Sequence, residues 1–366
     1  MIRTLPYGFY LLVLALLPWP ASADSPRQLF DRYVDRLYQI KVVEKTSRRK
    51  SAIGSGFVVR KDGLMATNYH VISKYVQEPD RYYLEALSVD NRSERVSVED
   101  IDVINDLALL RFKIKAHPYL KLRHSPLSKG DPIYSMGNPL DLGTAVVPGT
   151  YNGFTKQSFY QRIHFTGAVN PGMSGGPVLD GAGQVVGVNV ATAGNQVGFL
   201  VVVDKLINLL REYEQRGNKP LDMQARIRQQ LLANQKRMLR AVLDAKWKTT
   251  RLGDARVLKE IVPFLPCWGD KSNNRKKQQK FTTVSINCLP KENIFINQWF
   301  RSGMIEVQYK WVQNHALNPM QFSNLMERFY GGARAGNRAS EKDVTEYVCH
   351  ESFVDNPDQR VTLCTR

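Results

Sequence analysis

Short apolar runs separated by turn residues fill residues 54–203 of the chain. The runs are rich in Val, Ile, Leu and Tyr, and Gly, Pro, Asn and Asp stand between them. Apolar runs of this length with frequent turns are typical of β-strands in sandwiches and barrels. The pattern therefore predicts an all-β unit built as a double β-barrel.

Helical patterns flank this β unit. Residues 28–41 predict a short amphipathic helix before the first barrel, and residues 203–214 predict a helix that closes the second barrel. Residues 221–248 predict one long amphipathic helix, because their apolar positions recur at helical spacing among Arg, Gln and Lys. These positions are Ile227, Leu231, Met238, Val242 and Ala245.

The remaining sequence predicts a small α+β domain. Its expected elements are strands at 280–287, 294–299 and 304–311, a helix at 319–330, and a hairpin formed by 344–353 and 360–364. The fold class is therefore multidomain, with a double barrel, a long helix and a small disulfide-bonded domain. The expected units are a leader at 1–23, a barrel domain at 24–216, a helix or linker at 217–250 and a C-terminal domain at 251–366.

The first residues have the pattern of a secretory signal peptide. An apolar stretch of about 11 residues, 9–19, follows Arg3 and leads to Ala21, Ser22 and Ala23. Small residues in this arrangement are typical of a signal-peptide cleavage site. The stretch is shorter than the roughly 20 residues that span a bilayer as a helix. We expect cleavage near Ala23 and export of the mature chain, either to a periplasm or to the medium.

Cysteine usage agrees with export. All four cysteines lie in the last third of the chain, at Cys267, Cys288, Cys349 and Cys364. Four cysteines in an oxidising compartment usually form two disulfides, and three pairings are possible. We favour Cys267 with Cys288 and Cys349 with Cys364, because each pair brackets a candidate hairpin. The spacings lack the Cys-x-x-Cys pattern of zinc sites, so no metal is expected.

Most of the positive charge lies in the C-terminal part. Residues 205–366 hold 28 Lys and Arg against 16 Asp and Glu, which is +12 of the total net charge of +17. The densest stretch is 271–280, between Cys267 and Cys288. It is either a solvated hairpin tip or a surface for anionic envelope components or an acidic partner. Export and the lack of a recognisable nucleic-acid-binding pattern argue against nucleic acid as a partner.

One glycine-rich turn carries candidate chemistry. Residues 170–180 place Ser174 among three glycines, and a serine with exposed backbone N–H groups around it can act as an acyl-transfer nucleophile. His70 and Asp106 each adjoin an apolar run upstream, which gives the order His, Asp, Ser of one class of triad enzymes. His70 is the expected base, because an imidazole titrates near neutral pH. Asp106 is its expected partner, and Asp102 is the alternative.

Taken singly, each of these residues has a structural interpretation. The histidine could fill a strand of the core, the aspartate could cap a turn, and the serine could belong to a hairpin loop. The ordered spacing of all three favours catalysis. Gly172 and Ser174 would then supply the backbone N–H groups that stabilise an oxyanion. Residues 172–176 also fit the Gly-x-Ser-x-Gly pattern of α/β-hydrolases, but in that fold the acid and the histidine follow the serine.

These segments resemble the trypsin-like serine proteases of the chymotrypsin fold, and most closely the bacterial HtrA/Deg type. The resemblance covers residues 51–210, and no segment resembles the PDZ domain that is usual in HtrA proteins. It is carried by Gly54-Ser55-Gly56-Phe57-Val58-Val59, Asp62-Gly63, Thr67-Asn68-Tyr69-His70-Val71, Asp106-Leu107-Ala108-Leu109-Leu110, Gly137-Asn138-Pro139, Pro171-Gly172-Met173-Ser174-Gly175-Gly176-Pro177 and Gly198-Phe199-Leu200-Val201-Val202.

The resemblance implies an exported serine endopeptidase that works through an acyl-enzyme and needs no cofactor. Its substrates would be proteins or peptides. Ala168 stands where trypsin has an acidic residue, so small or medium aliphatic side chains are expected in a substrate pocket lined by Ala168, Asn189 and Ala191. The alternatives are a non-catalytic binding protein on the same scaffold and, third, an esterase.

Overall fold

The computed structural model describes residues 24–113, 117–192, 198–217, 219, 221–271, 280–331, 344–353 and 360–365. The predicted leader at 1–23 and most of the basic stretch, 272–279, lie outside these described residues. Within them, no helix is both long and apolar enough to cross a membrane.

The first barrel is a closed sheet of six antiparallel strands. Side chains alternate between the core and a less buried face along residues 82–87, whereas all four residues of 64–67 are buried. This alternation is what a half-buried strand requires, because successive side chains point to opposite faces of the sheet. The strands are β1 (Leu37–Glu44), β2 (Lys50–Val58), β3 (Leu64–Thr67), β4 (Tyr82–Leu87), β5 (Ser93–Asp102) and β6 (Leu107–Phe112), in the order β1-β2-β3-β6-β5-β4.

The second barrel has the same number of strands and is also closed. Its interior holds large apolar side chains, among them Ile133, Phe165 and Leu200. The predicted double β-barrel is therefore confirmed. The strands are β7 (Pro132–Gly137), β8 (Ala145–Phe154), β9 (Ile163–Phe165), β10 (Pro177–Leu179), β11 (Val185–Thr192) and β12 (Gly198–Val202), in the order β10-β11-β12-β9-β8-β7.

Helices lie before, within and after the barrels. They are α1 (Pro26–Tyr33), α2 (Tyr69–Gln77), α3 (Val203–Arg216), α4 (Met223–Leu243) and α5 (Pro319–Gly331). Ser25 and the Gln28 side chain form a capping box at the start of α1. The prediction of a helix through residue 41 was wrong, because the chain enters β1 at Leu37 and pairs there with β2 and β4.

The C-terminal part consists of small antiparallel sheets around α5. Cys267 is joined to Cys288 and Cys349 to Cys364, which are the pairings expected from the sequence. The prediction missed the first hairpin and the strands at 267–271 and 301–302, and the expected strand at 294–299 covers only two residues. The strands are β13 (Lys248–Leu252), β14 (Ala255–Glu260), β15 (Cys267–Lys271), β16 (Phe281–Cys288), β17 (Ile294–Phe295), β18 (Arg301–Ser302), β19 (Val307–Asn314), β20 (Val348–Phe353) and β21 (Arg360–Thr365).

The C-terminal part shares a core with the first barrel. Side chains from beyond residue 216 are buried in the apolar cluster of that barrel, namely Ile227, Ile294, Ile296 and Phe300. Helices α3 and α4 are also tied to β5 by polar contacts, since Arg216 of α3 and Arg226 of α4 both pair with the fully buried carboxylate of Asp100. The first barrel, α4 and the segment around residue 296 therefore pack as one unit.

Candidate active site

His70 lies in the first turn of α2, not in a strand as its structural interpretation supposed. Asn68 precedes the helix in an extended conformation, and its amide donates a hydrogen bond to the Asp106 carbonyl (2.8 Å). Tyr69, Ile72 and Val76 are buried on the inner side of the helix. The apolar packing of α2 against the first barrel therefore fixes where the imidazole stands.

Asp106 contacts His70 twice. One carboxylate oxygen lies 2.7 Å from His70 Nδ1, and the other accepts the backbone N–H of His70 at 2.9 Å. The second bond places a negative charge at the N-terminus of α2, where the helix dipole favours it. Asp106 has a φ of 61°, a left-handed conformation that Asp adopts more readily than most residues. The turn before β6 thus aims the carboxylate at the helix.

The protonated imidazole is favoured at this position. Burial acts to lower the pKa of His70, and the positive charge of Arg162 acts in the same direction. The charge and hydrogen bond of Asp106 outweigh both, so the pKa of His70 is raised above its ordinary value. With Nδ1 engaged by Asp106, Nε2 is the ring nitrogen that can accept a proton.

Asp102, the alternative partner, is directed elsewhere. Its carboxylate accepts hydrogen bonds from the backbone N–H (3.0 Å) and the side-chain amide (2.6 Å) of Asn105. Burial raises the pKa of Asp102. The structure therefore brings His70 together with Asp106 and uses Asp102 to shape the turn between them.

The loop that carries Ser174 depends on glycines. Gly172 has a φ of 95°, and a Cβ there would lie 2.4 Å from the Asn138 carbonyl oxygen. A Cβ on Gly175 would lie 2.3 Å from the Ser55 carbonyl oxygen. Only glycine fits such positions without displacing the backbone. The loop is therefore held tightly between the two barrels.

Two backbone donors of this loop remain available. The described residues include no protein acceptor for the N–H of Gly172 or of Ser174. The N–H of Met173, which lies between them, is bonded to the Asn170 carbonyl (3.0 Å). Two unpaired N–H groups two residues apart, one of them that of the serine itself, can bind an oxyanion.

The Ser174 hydroxyl donates to the backbone carbonyl of Val190 at 3.1 Å. Among the hydrogen bonds of the described residues none joins Ser174 to His70. Catalytic hydrogen bonds are often absent or long before substrate is bound. Reaction at Ser174 requires its hydroxyl to turn from Val190 toward Nε2 of His70.

Ser55, on β2, supports the serine loop and was not singled out from the sequence. Its N–H donates to the Ser174 carbonyl and its hydroxyl donates to the Gly172 carbonyl, both at 2.7 Å. The same hydroxyl accepts the N–H of Asn138 at 2.9 Å. Gly-Ser-Gly is ordinary loop composition, so the local sequence gave no signal of this role.

The residues assigned to a substrate pocket occupy different environments. Asn189 is fully buried, and its amide bonds to the Ser135 hydroxyl (2.9 Å) and the Met136 carbonyl (3.1 Å). Its side chain thereby supports the second barrel behind the serine. Ala168 is partly exposed, while the side chain of Ala191 is outside the described ones. The pocket itself stays a prediction.

Four of the other five histidines have surroundings of their own. His117 stacks on Phe112, His315 bonds to Thr282, and His164 and His350 lie in strands β9 and β20. The described residues contain no group of His, Cys, Asp and Glu that could hold a metal ion.

The part of the chain that carries this site is similar to known proteins. Residues 54–188 match the trypsin-like peptidase domain. Over 185 residues the chain is 30% identical to a probable periplasmic serine endoprotease, DegP-like, of Chlamydia pneumoniae, covering 48% of this chain and 37% of that protein. Over 175 residues it is 30% identical to the mitochondrial serine protease HTRA2 of Drosophila pseudoobscura pseudoobscura, covering 45% and 40%.

A serine endoprotease from Yersinia pestis is similar in structure, with a TM-score of 0.46, 21% identity, and coverage of 54% of this chain and 69% of that chain. The match to the relatives spans less than half of their own length. The chain carries a trypsin-like peptidase domain, and in that domain it is related to the HtrA and DegP serine proteases.

Proposed function

We propose that the chain is a serine endopeptidase in which Ser174 is the nucleophile, His70 the base and Asp106 the residue that orients the base. The observation that carries this proposal is the double contact of the Asp106 carboxylate with the ring and the backbone of His70. A carboxylate on Nδ1 fixes the tautomer in which Nε2 is free, and it stabilises the imidazolium that forms during reaction. A histidine with only a structural role does not need this arrangement.

The reaction would proceed in two halves. Ser174 Oγ attacks the substrate carbonyl carbon and His70 Nε2 takes the hydroxyl proton, while the N–H groups of Gly172 and Ser174 bind the developing oxyanion. The imidazolium then protonates the leaving amine, and the acyl-enzyme remains. In the second half, water gives one proton to His70 and its hydroxyl to the acyl carbon. The bond between that carbon and Ser174 Oγ then breaks, the imidazolium returns the proton to Oγ, and the acid is released.

Covalent labelling tests the proposal directly. A fluorophosphonate should react with the folded protein, and peptide mapping should place the adduct on Ser174. Ser174→Ala and heat-denatured protein are the controls, and neither should be labelled. An adduct on another serine, or none on the native protein, would reject Ser174 as nucleophile. Absence of labelling would favour the non-catalytic scaffold.

An esterase of the α/β-hydrolase type is disfavoured by the local fold. In that fold the serine stands between a strand and a helix. Here the serine loop runs into β10, which pairs with β7 and β11 in a closed barrel. Peptide substrates should therefore be cleaved, and a protein that hydrolyses esters but no casein-derived peptide would contradict the proposal.

Export and an anionic partner are further parts of the proposal. The predicted signal at 1–23 and the two disulfides support an exported protein, cleaved near Ala23 and located in a periplasm or secreted. Cell fractionation with N-terminal sequencing tests this.

The net charge of +12 over 205–366 supports binding to an anionic envelope surface or an acidic protein. Cosedimentation with phosphatidylglycerol vesicles at low and high salt tests binding to an anionic envelope surface.

A further inference from the structure

A segment of the C-terminal part lies directly beside His70. We name residues 289–303 the cleft segment. The ring centre of Phe295 is 6.1 Å from that of His70, and the two rings meet edge to face at 77°. No other aromatic ring contact of His70 occurs among the described residues. The segment comes from 225 positions further along the chain, so this contact belongs to the tertiary fold.

The cleft segment is held on both sides of Phe295. The carbonyl of Ile296 accepts the hydroxyl of Tyr69 at 3.0 Å, next to His70 in the first barrel. On the other side, the carboxylate of Glu292 accepts the hydroxyl of Ser158 (2.7 and 2.9 Å) and the N–H of Phe159 (3.1 Å). Ser158 and Phe159 follow β8 of the second barrel. The segment therefore bridges the two barrels at the histidine.

Packing fixes the segment further. Ile294, Ile296 and Phe300 are buried in the core of the first barrel, whereas Phe295 is only partly buried. Burial raises the pKa of Tyr69 to about 12, so its hydroxyl remains a donor across the physiological range. An aromatic side chain that is anchored on both flanks and left partly open beside a base is placed to contact a bound molecule.

We propose that Phe295 is a specificity-determining residue that forms an apolar wall of the cleft beside His70 and selects peptides with a large apolar side chain within two residues of the scissile bond. The inference rests on the proposed function. The C-terminal part then completes the substrate-binding surface of the peptidase domain. Removing the segment would then remove part of the binding surface.

Positional scanning of peptide substrates tests the wall. Internally quenched peptides that carry Gly, Leu, Phe or Asp at each position near the scissile bond are compared for the full-length protein and Phe295→Ala. We expect the preference for Phe and Leu over Gly to fall about tenfold at one position, mainly through KM. Phe295→Leu should keep most of the preference. Trp299→Ala, an exposed aromatic on the same segment, is the matched control and should leave it unchanged.

A small probe separates a wall from a structural role. A fluorophosphonate without a peptide chain cannot reach Phe295, so its rate of reaction with Ser174 should change less than threefold in Phe295→Ala. The pH profile supplies a second readout, because removing the ring hydrates the imidazole. Burial lowers the pKa of His70, and Asp106 raises it. Loss of burial in Phe295→Ala should therefore raise this pKa and move the pH profile of kcat/KM to higher pH. Arg162 is the other charge that acts on the ring.

The same contact is measured without turnover in Ser174→Ala. Calorimetry with a pair of octapeptides that differ only by Phe or Gly at the selected position should show a preference that Phe295→Ala removes. This arm remains informative if the native protein resists fluorophosphonate, which would reject the proposed function alone. Three results for Phe295→Ala would each contradict the proposal. They are an unchanged preference in both the kinetic and the calorimetric experiment, an equal loss of rate for all substrates and the small probe, and a higher activity.

Discussion

The barrels and the C-terminal part are both rich in antiparallel β-structure, yet they are stabilised differently. The barrel strands bury continuous apolar faces, as in β3, where all four residues are buried. In β20 and β21 nearly every described side chain is exposed, and the Cys349–Cys364 disulfide joins the two strands. The comparison indicates that a covalent link replaces an apolar core in the last hairpin. Other segments of the C-terminal part are buried. The cleft segment and α4 are buried against the first barrel, and a further apolar cluster joins Met238 of α4 to Ile261, Val262, Phe264 and Leu265.

The largest effect is expected from replacing the candidate nucleophile of the barrel domain. Ser174→Ala should lower peptide hydrolysis by about four orders of magnitude or more, since losing a triad member removes nucleophilic catalysis. A loop serine supports little packing, so the thermal midpoint should stay within a few degrees. Steady-state kinetics and calorimetry measure both quantities. Equal activity of mutant and wild type would remove Ser174 from the mechanism.

Asp106→Asn should have the next largest effect. The plateau of kcat/KM should fall by about three to four orders of magnitude, because an amide no longer fixes the tautomer of His70. In the wild type, kcat/KM should rise with pH through the raised pKa of His70, since the neutral ring is the base. The variant should show that rise at lower pH, because the carboxylate that raises the pKa is gone.

Asp102→Asn is the matched control for this substitution. It lies in the same turn, but its carboxylate bonds to Asn105. It should lower the plateau far less and leave the pH dependence in place. A flat profile between pH 5 and 8 in the wild type would contradict a histidine base.

A substitution in the cleft segment tests whether it belongs to the core of the first barrel. Phe300→Ala should lower the free energy of unfolding by about 3–5 kcal/mol, as large-to-small changes at buried aromatics do. Trp299→Ala, at an exposed neighbour, should change it by less than about 0.5 kcal/mol. Chemical denaturation followed by the signal of the whole protein measures both. Equal, small effects would show that the segment only rests on the surface.

The smallest effect is expected in the last hairpin. Replacing both Cys349 and Cys364 by Ser should open β20 and β21 locally, with kcat/KM for peptides changed less than twofold. Replacing Cys267 and Cys288 by Ser should lower the free energy of unfolding more, by about 2–5 kcal/mol, because Cys288 is fully buried. Thermal unfolding of the two double variants measures the difference. Loss of peptidase activity in the first variant would mean that the hairpin also supports the cleft.

The sequence was most informative where local pattern and local structure coincide. The double barrel follows from short apolar runs, and α3 ends at Arg216, where Gly217 adopts the left-handed conformation that glycine favours. The prediction at 28–41 failed because no glycine or proline marks the change from helix to β1, and an amphipathic pattern continues across it. Pairing with β2 and β4 decides the conformation there.

The sequence indicated the candidate site residues, but it did not indicate the distant residues that pack beside them. The motif around His70 marked this residue as a candidate base, and the spacing of Tyr69, Ile72 and Val76 could have indicated α2, since these positions recur at helical intervals. The contact between Tyr69 and Ile296 could not be predicted, because no local property relates residues so distant in sequence. The same holds for Phe295, which appeared to be part of an ordinary strand in a separate domain.

Ser55 makes the position of Ser174 depend on the angle between the barrels. It belongs to the first barrel, yet its backbone and hydroxyl hold both ends of the turn that carries Ser174. A rotation of one barrel against the other would therefore pull on this turn. A mutation or ligand that changes the angle between the barrels would therefore displace Ser174, even when it contacts neither the candidate triad nor the substrate.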